Sequence, residues 1–300
     1  MAVAPQAPWL HKAVTAAVAD AGGIPVDVED AEALIWNFGT ADELARTLAR
    51  APGVTWVQLP AAGVEAYGTL FGDGRLWTSA KGAFAEPVAE HALALTLAGL
   101  RELPKRARAH TWGPKGGRTL FDRRVTLIGS GGVARALLDL LRPFRARVTV
   151  VRKGVGPLPG VGGVLPFERI SKGIAGADVV VLAAALTAET ELMIGEAELR
   201  AMGPGCLLVN VARGRLVDTG ALVDALNEDT IAGAALDVVD PEPLPDEHPL
   251  WRIGRCLITP HTANPAETER DHLARRIAAN VRARISGGEL EGVVDAKLGY

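Results

Sequence analysis

The chain has 300 residues, 48% hydrophobic and 22% charged, with a formal net charge of −3. That length suits two domains better than one core, and the composition excludes a largely disordered chain. The slight acidity offers no basic stripe for nucleic acid, and no run approaches the roughly 20 apolar residues that a membrane helix needs.

The amino-terminal MAVAPQAPWL lacks the basic flank and apolar run of a secretory signal. Cys206 and Cys256 sit in the apolar runs CLLVNVA and CLITP, without metal-ligand spacing, so both are read as buried free thiols. The expectation is a reduced, cytoplasmic protein with no metal site and neither membrane nor nucleic-acid partners.

In chain order, HKAVTAAVADAG (11–22) reads as a helix ending at glycine, with strands at IPVDV, AEALIW and VTWVQL. These predict a smaller α/β domain. The stretch APQAPWLHK offers little strand pattern, so the start of this domain is expected to be trimmed or rearranged. A helix over roughly Pro87–Leu103 follows as a bridge, with Val88, His91, Ala92, Leu95 and Ala98 along its buried face.

From about Leu120 short β-branched runs alternate with helical ones: RVTLI (124–128), VARALLDLLR (133–142), RVTVV (147–151), ADVVVLAA (177–184), EAELRAM (196–202), CLLVNVA (206–212), ALVDALNE (221–228), IAGAALDVV (231–239) and CLITP (256–260). Near-continuous apolar strands separated by helices predict a parallel sheet covered on both faces, a doubly wound α/β domain. A last amphipathic helix, about Ala266 to Ser286, is expected to return to the first domain. The expected division is 1–82 with 272–300, and 83–271.

Gly129-Ser130-Gly131-Gly132-Val133-Ala134 follows a strand and opens a helix. The first glycine permits the tight turn, the second lets backbone approach a pyrophosphate, and a small third residue allows close packing of helix on strand. The helix amino terminus then offers N–H groups to phosphate. The same pattern without strand and helix around it is only a flexible turn; here both are present. An NAD site usually carries Asp or Glu at the end of the next strand, whereas this chain has Arg152-Lys153. A guanidinium there can bind a 2′-phosphate with two parallel hydrogen bonds, so NADP(H) is favoured, with NAD(H) possible. A solvated basic pair is the plainer reading of the same residues.

Ligands of open parallel sheets bind beyond the carboxyl ends of the strands. Arg213 follows CLLVNVA, Glu242 follows AGAALDVV through a Pro-bearing loop, and His261 follows CLITP. Singly, each has a structural explanation as a surface ion-pair partner, a solvated loop carboxylate or a strand-end hydrogen bond. Together they supply a fork for a carboxylate, a proton donor near neutrality and a carboxylate to fix the donor's tautomer, which 2-keto acid reduction requires.

With these residues in hand the chain resembles the D-isomer-specific 2-hydroxyacid dehydrogenases over nearly its full length. The matching stretches are WVQLPAAGVE, KGAFAEPVAEHALAL, VTLIGSGGVA, LTAET, VNVARGRLVD, AALDVVDPEPLPDEHPLW and ITPHTA. The resemblance implies a Rossmann cofactor domain beside a smaller flavodoxin-like substrate domain, and a homodimer joined through the bridging helix. It implies Arg213 on the substrate carboxylate and carbonyl, His261 as acid/base, and Glu242 as its partner. It also places Asp237 at the nicotinamide carboxamide, Thr190 and Ala212 at the cofactor, and the backbone of Ala62 and Gly63 at the substrate carboxylate.

The chain departs from the family's pattern in places. Ala185 stands where the family has Pro, and WNFGT (36–40) stands where phosphoglycerate-directed members carry arginine. Glyoxylate and hydroxypyruvate fit the short smaller domain by analogy, and Trp36 or Phe38 serves either the pocket wall or the core. Formate chemistry is disfavoured because that reading expects Gln at position 242. Two other classes remain open: a non-catalytic dinucleotide-binding regulator of the same fold, which would need none of Arg213, Glu242 and His261, and an imine or aldehyde reductase, which would not need Arg213.

Overall fold

The computed structural model describes residues 1–154 and 156–299. The chain divides into two compact units, Met1–Phe84 with Pro265–Tyr300, and Ala85–Asn264. The chain re-enters the first unit at Pro265, earlier than the expected 272. The final helix, Ala266–Ser286, is one continuous element whose apolar residues pack in that unit.

The first unit holds β1 (Ala2–Ala4), α1 (His11–Asp20), β2 (Ala33–Trp36), α2 (Ala41–Arg50), β3 (Trp56–Gln58) and β4 (Leu76–Thr78). Its sheet is parallel, in the order β1-β2-β3-β4. One face is covered by Val14 and Val18 of α1 with Leu273, Ile277 and Val281 of the final helix, and the other by Leu44 and Leu48 of α2. Thr40 starts α2 with a reciprocal cap: its hydroxyl accepts from Glu43 N at 3.2 Å, and Glu43 Oε2 accepts from Thr40 N at 2.8 Å.

Two expectations for this unit are corrected. IPVDV forms no strand: Pro25 has no N–H to donate, Ile24 and Val26 stay exposed, and the segment meets Met1 through two hydrogen bonds, Met1 N to Ile24 O and Val26 N to Met1 O, without a ladder. The amino terminus, in contrast, does open on a strand. Ala2–Ala4 pairs in register with Leu34–Trp36, a placement that three residues of weak β preference do not advertise. Trp36 is buried in the core, and Phe38 stacks near Trp9 at 5.9 Å.

The second unit runs α3 (Ala85–Leu100), α4 (Leu103–Ala107), β5 (Arg124–Ile128), α5 (Gly132–Leu141), β6 (Arg147–Val151), β7 (Gly163–Leu165), α6 (Ile170–Ile174), β8 (Val179–Leu182), α7 (Glu196–Met202), β9 (Leu207–Asn210), α8 (Thr219–Asn227), β10 (Gly233–Leu236) and β11 (Cys256–Ile258). Its seven strands are all parallel, in the order β11-β10-β9-β8-β5-β6-β7. The alternation of each strand feeds two cores. Val125, Leu127, Val179 and Val181 meet α3 and α5 on one face, while Ile128, Val180, Leu182 and Leu208 meet α6, α7 and α8 on the other. Each such fully buried Val, Leu or Ile contributes roughly 1.5–3 kcal/mol relative to exposure. Among the described residues no helix is long and apolar enough to cross a membrane.

The direction of strand order reverses between β5 and β8, the place where open α/β sheets bind ligands.

Candidate active site

The glycine loop leaves β5 at this reversal. Gly129 has φ +111°, and a Cβ there would lie 2.4 Å from the carbonyl oxygen of Ala183, so glycine is required on both counts. Gly131 caps α5, and Gly131 and Gly132 are exposed while Ala134 is buried against the sheet. The loop therefore presents open backbone at a helix start, the arrangement that suits a pyrophosphate. Arg152 follows β6 beside this loop. Its Nη2 donates to Gly156 O at 2.6 Å, its Nη1 lies 3.5 Å from Ser130 Oγ, and its buried Nε has no hydrogen-bond partner among the described residues. Lys153 pairs with Glu189 at 2.8 Å. Thr190 turns its hydroxyl inward, to Ala185 O at 2.7 Å, and accepts from Thr187 N at 2.8 Å, so it ties its own loop together.

Arg213, Glu242 and His261 follow the adjacent strands β9, β10 and β11 and share their carboxyl edge. Asn210, the last residue of β9, shapes the first loop. Its Oδ1 accepts from Ala212 N at 3.0 Å and its Nδ2 donates to Arg213 O at 2.8 Å. Arg213 Nη1 donates to Ala212 O at 2.7 Å. A Cβ at Gly214 would lie 1.9 Å from Val239 O, so the glycine after Arg213 is what lets this loop rest on the backbone leading to Glu242. Thr219 Oγ1 adds a hydrogen bond to Asp240 O at 2.8 Å.

His261 Nδ1 lies 2.6 Å from Glu242 Oε1, and both side chains are partly open to solvent. His261 has φ +51°, a value uncommon for any residue other than glycine, though one that histidine, like asparagine and aspartate, adopts more readily than most. Asp237, one residue past β10, holds it there. His261 N donates to the Asp237 backbone oxygen at 2.8 Å, Thr262 N to Oδ1 at 2.9 Å, and Ala263 N to Oδ2 at 3.0 Å. Thr259 Oγ1 donates to Oδ1 at 2.6 Å, and His91 Nε2 of α3 lies 3.3 Å from the same oxygen. Burial pushes the Asp237 carboxyl up, but the hydrogen bonds from His91, Thr259, Thr262 and Ala263 outweigh it and hold its pKa below the ordinary value. The resemblance expects this carboxylate at the cofactor. In the structure it is buried and engaged by the loop that carries His261.

Ala62 and Gly63 lie in the turn that follows β3 in the first unit, where Ala80 N donates to Ala61 O at 2.9 Å. His91, Thr259 and Asn210 were not singled out as site residues in the sequence. His91 stands in the AEHALAL stretch, where it reads as one more face residue of a helix. An Asn three residues before Arg213 at a strand end is the signal that could have marked Asn210.

Residues 91–263 match the family model described as "D-isomer specific 2-hydroxyacid dehydrogenase, NAD binding domain". The chain belongs to the D-isomer specific 2-hydroxyacid dehydrogenase family. It is thus an NAD(P)-dependent oxidoreductase acting on the CH–OH group of 2-hydroxy acids. Over 98% of either chain it is 35% identical to the "Uncharacterized protein in proB 3'region" of Corynebacterium melassecola. It is 34% identical to the glyoxylate reductase of Pyrococcus furiosus over 65% of this chain and 61% of that enzyme. Its fold matches the family member from Xanthobacter autotrophicus Py2, solved in complex with NADPH and MES, with a TM-score of 0.87. That match is 27% identical and covers 100% of this chain and 99% of the other. The family is one of enzymes, and none of these comparisons supports the non-catalytic alternative.

Proposed function

We propose that the chain works as a reductase of small 2-keto acids, glyoxylate and hydroxypyruvate foremost, and prefers NADPH to NADH. The observation that carries this reading is the 2.6 Å pair of His261 and Glu242 on the strand edge that also bears Arg213. The glyoxylate reductase relative and the NADPH complex of the Xanthobacter family member support the substrate and cofactor choices.

The residues present fit a dinucleotide. Gly129, Ser130, Gly131, Gly132, Val133 and Ala134 form an open loop at a helix start, and Arg152 beside it keeps a buried Nε with no partner among the described residues. Arg152, with Lys153, takes the 2′-phosphate, while Thr190 and Ala212 shape the loops on either side of the nicotinamide half. When bound, the cofactor supplies the hydride.

Every other step belongs to the chain. The family resemblance assigns the backbone at Ala62 and Gly63 to the substrate carboxylate. Arg213 grips the carboxylate and carbonyl with its fork and stabilises negative charge developing on the carbonyl oxygen. His261 delivers a proton from Nε2 to that oxygen, because Nδ1 is held by Glu242. The product is the D-hydroxy acid, as the family's description implies.

The chain works as a homodimer in the cytoplasm. The free, buried Cys206 and Cys256 fit a reducing compartment. Trp112, fully exposed in the stretch beyond α4, offers an apolar contact for a second copy. Light scattering of the purified chain reads the mass directly, and a monomer would overturn the dimer.

The test of the function is a kinetic screen of glyoxylate, hydroxypyruvate, phenylpyruvate and branched 2-keto acids, each with NADPH and NADH. Turnover of the two small acids with NADPH is expected. Folded protein that oxidises NADPH with none of them would overturn the reading, and a clear NADH preference would overturn the cofactor choice.

A further inference from the structure

His91 lies on α3, a helix whose neighbouring buried positions are the small residues Ala89 and Ala92. A large polar ring at this point has a specific destination. Its Nε2 is 2.9 Å from Thr259 Oγ1 and 3.3 Å from Asp237 Oδ1. The proton positions follow from valence. The Asp237 carboxylate is an acceptor only, so the Thr259 hydroxyl at 2.6 Å spends its one proton on it. The remaining lone pairs of Thr259 Oγ1 can only accept, and His91 Nε2 must therefore carry the proton and donate.

We propose that His91 is a positioning residue for the acid/base loop, acting through Asp237 and Thr259 on His261. Asp237 binds the amides of residues 261, 262 and 263 in succession, through its backbone oxygen and both carboxylate oxygens. Those bonds hold His261 at φ +51°. A non-glycine residue in the left-handed region is uncommon and persists where its surroundings over-determine it. His91 supplies that over-determination from a different element. It fixes Thr259, which precedes the turn, and the carboxylate that bonds the residues after it. The ring thus reaches from a helix packed on the sheet to both flanks of the residue that is to deliver a proton.

The inference rests on the proposed acid/base role of His261, and its test is chosen to separate the two. H91L removes the donor and keeps an apolar side chain of similar reach, while H91Q keeps an N–H donor near the Nε2 position. Amide hydrogen exchange needs neither cofactor nor substrate. H91L should speed exchange at positions 261–263 by about tenfold or more, leaving β5 and β6 amides unchanged, while H91Q stays near wild type. With a keto acid that the wild type reduces, H91L should lose about tenfold or more in kcat, because small misplacements of a catalytic group are costly. Its KM and its Kd for NADPH should stay within about twofold of wild type, and H91Q should recover most of the loss.

Unchanged exchange at 261–263 in H91L, or faster exchange throughout the unit, would overturn the positioning role. Faster local exchange with undiminished kcat would overturn its link to catalysis. If the wild type reduces no keto acid, the proposed function fails, while the exchange result still decides whether His91 holds the loop.

Discussion

Nδ1 of His261 sits 2.6 Å from Oε1 of Glu242, although the two residues follow different strands and neither is deeply buried. A hydrogen bond this short fixes which ring nitrogen faces away from the carboxylate. In the proposed function Nε2 is thereby the nitrogen offered to a substrate oxygen.

Replacing Glu242 should therefore damage catalysis more than binding. E242A should lower kcat about 100-fold, the scale of a lost acid/base alignment. E242Q, which retains an acceptor for Nδ1–H, should lose less. Steady-state kinetics on both variants measure this, and equal losses in the two would argue that the carboxylate does something other than hold the ring.

Arg213 is tested by the variant that keeps its charge. R213K loses the planar fork that matches a carboxylate, and kcat/KM for a 2-keto acid should fall by about 100-fold or more. Near-normal kcat/KM in R213K would favour a substrate without a carboxylate, such as an aldehyde or imine.

The proposed cofactor preference is assigned to Arg152, whose buried Nε has no partner among the described residues next to the glycine loop. R152A should raise KM for NADPH by about tenfold or more, the worth of a charge-assisted contact to a phosphate. KM for NADH should change little. Parallel losses with both cofactors would mean that Arg152 supports the loop rather than reading the 2′-phosphate.

Asp237 predicts a pH dependence of stability. Its folded pKa is held below the ordinary value, against the upward push of burial, by the hydrogen bonds it accepts. A group depressed in this way stabilises the fold above its unfolded pKa of about 3.9, and that contribution is lost as pH falls through the folded value. D237N should be less stable than wild type at neutral pH by about 1–3 kcal/mol, since an amide N–H would face the Thr262 or Ala263 donor. Thermal unfolding from pH 7 down to pH 3 should show the gap closing on the acid side. A gap that stays constant would show that the charge is not what holds the loop.

Burial pushes both cysteine thiols up to about 12. Thiolate is the reactive form, so Cys206 and Cys256 should resist an aromatic disulfide reagent in the folded protein. Both should react once denaturant exposes them, which a colorimetric titration measures; rapid native labelling of either would contradict its enclosed position.

Much of the second unit was legible because its signals are local. RVTLI and RVTVV form strands over the residues read from sequence, and EAELRAM forms the helix that its spacing announces. Arg213, Glu242 and His261 could be found because each follows an apolar strand, and parallel strands carry such positions to one edge. The first unit was harder. Ala2–Ala4 is a strand only because Leu34–Trp36 lies beside it, and IPVDV fails as a strand because Pro25 interrupts its donors.

The sequence by itself determined the composition of the proposed site: a glycine loop between strand and helix, and Arg213, Glu242 and His261 at strand ends. Tertiary structure alone decided what holds them. That Gly214 lets the Arg213 loop lie on Val239, and that Asp237 joins His91 to the amides of 261–263, are contacts between segments far apart in the chain. Residue type and spacing state which groups are available. Only packing states which oxygen a given N–H meets, and here that fixes the direction in which His261 points.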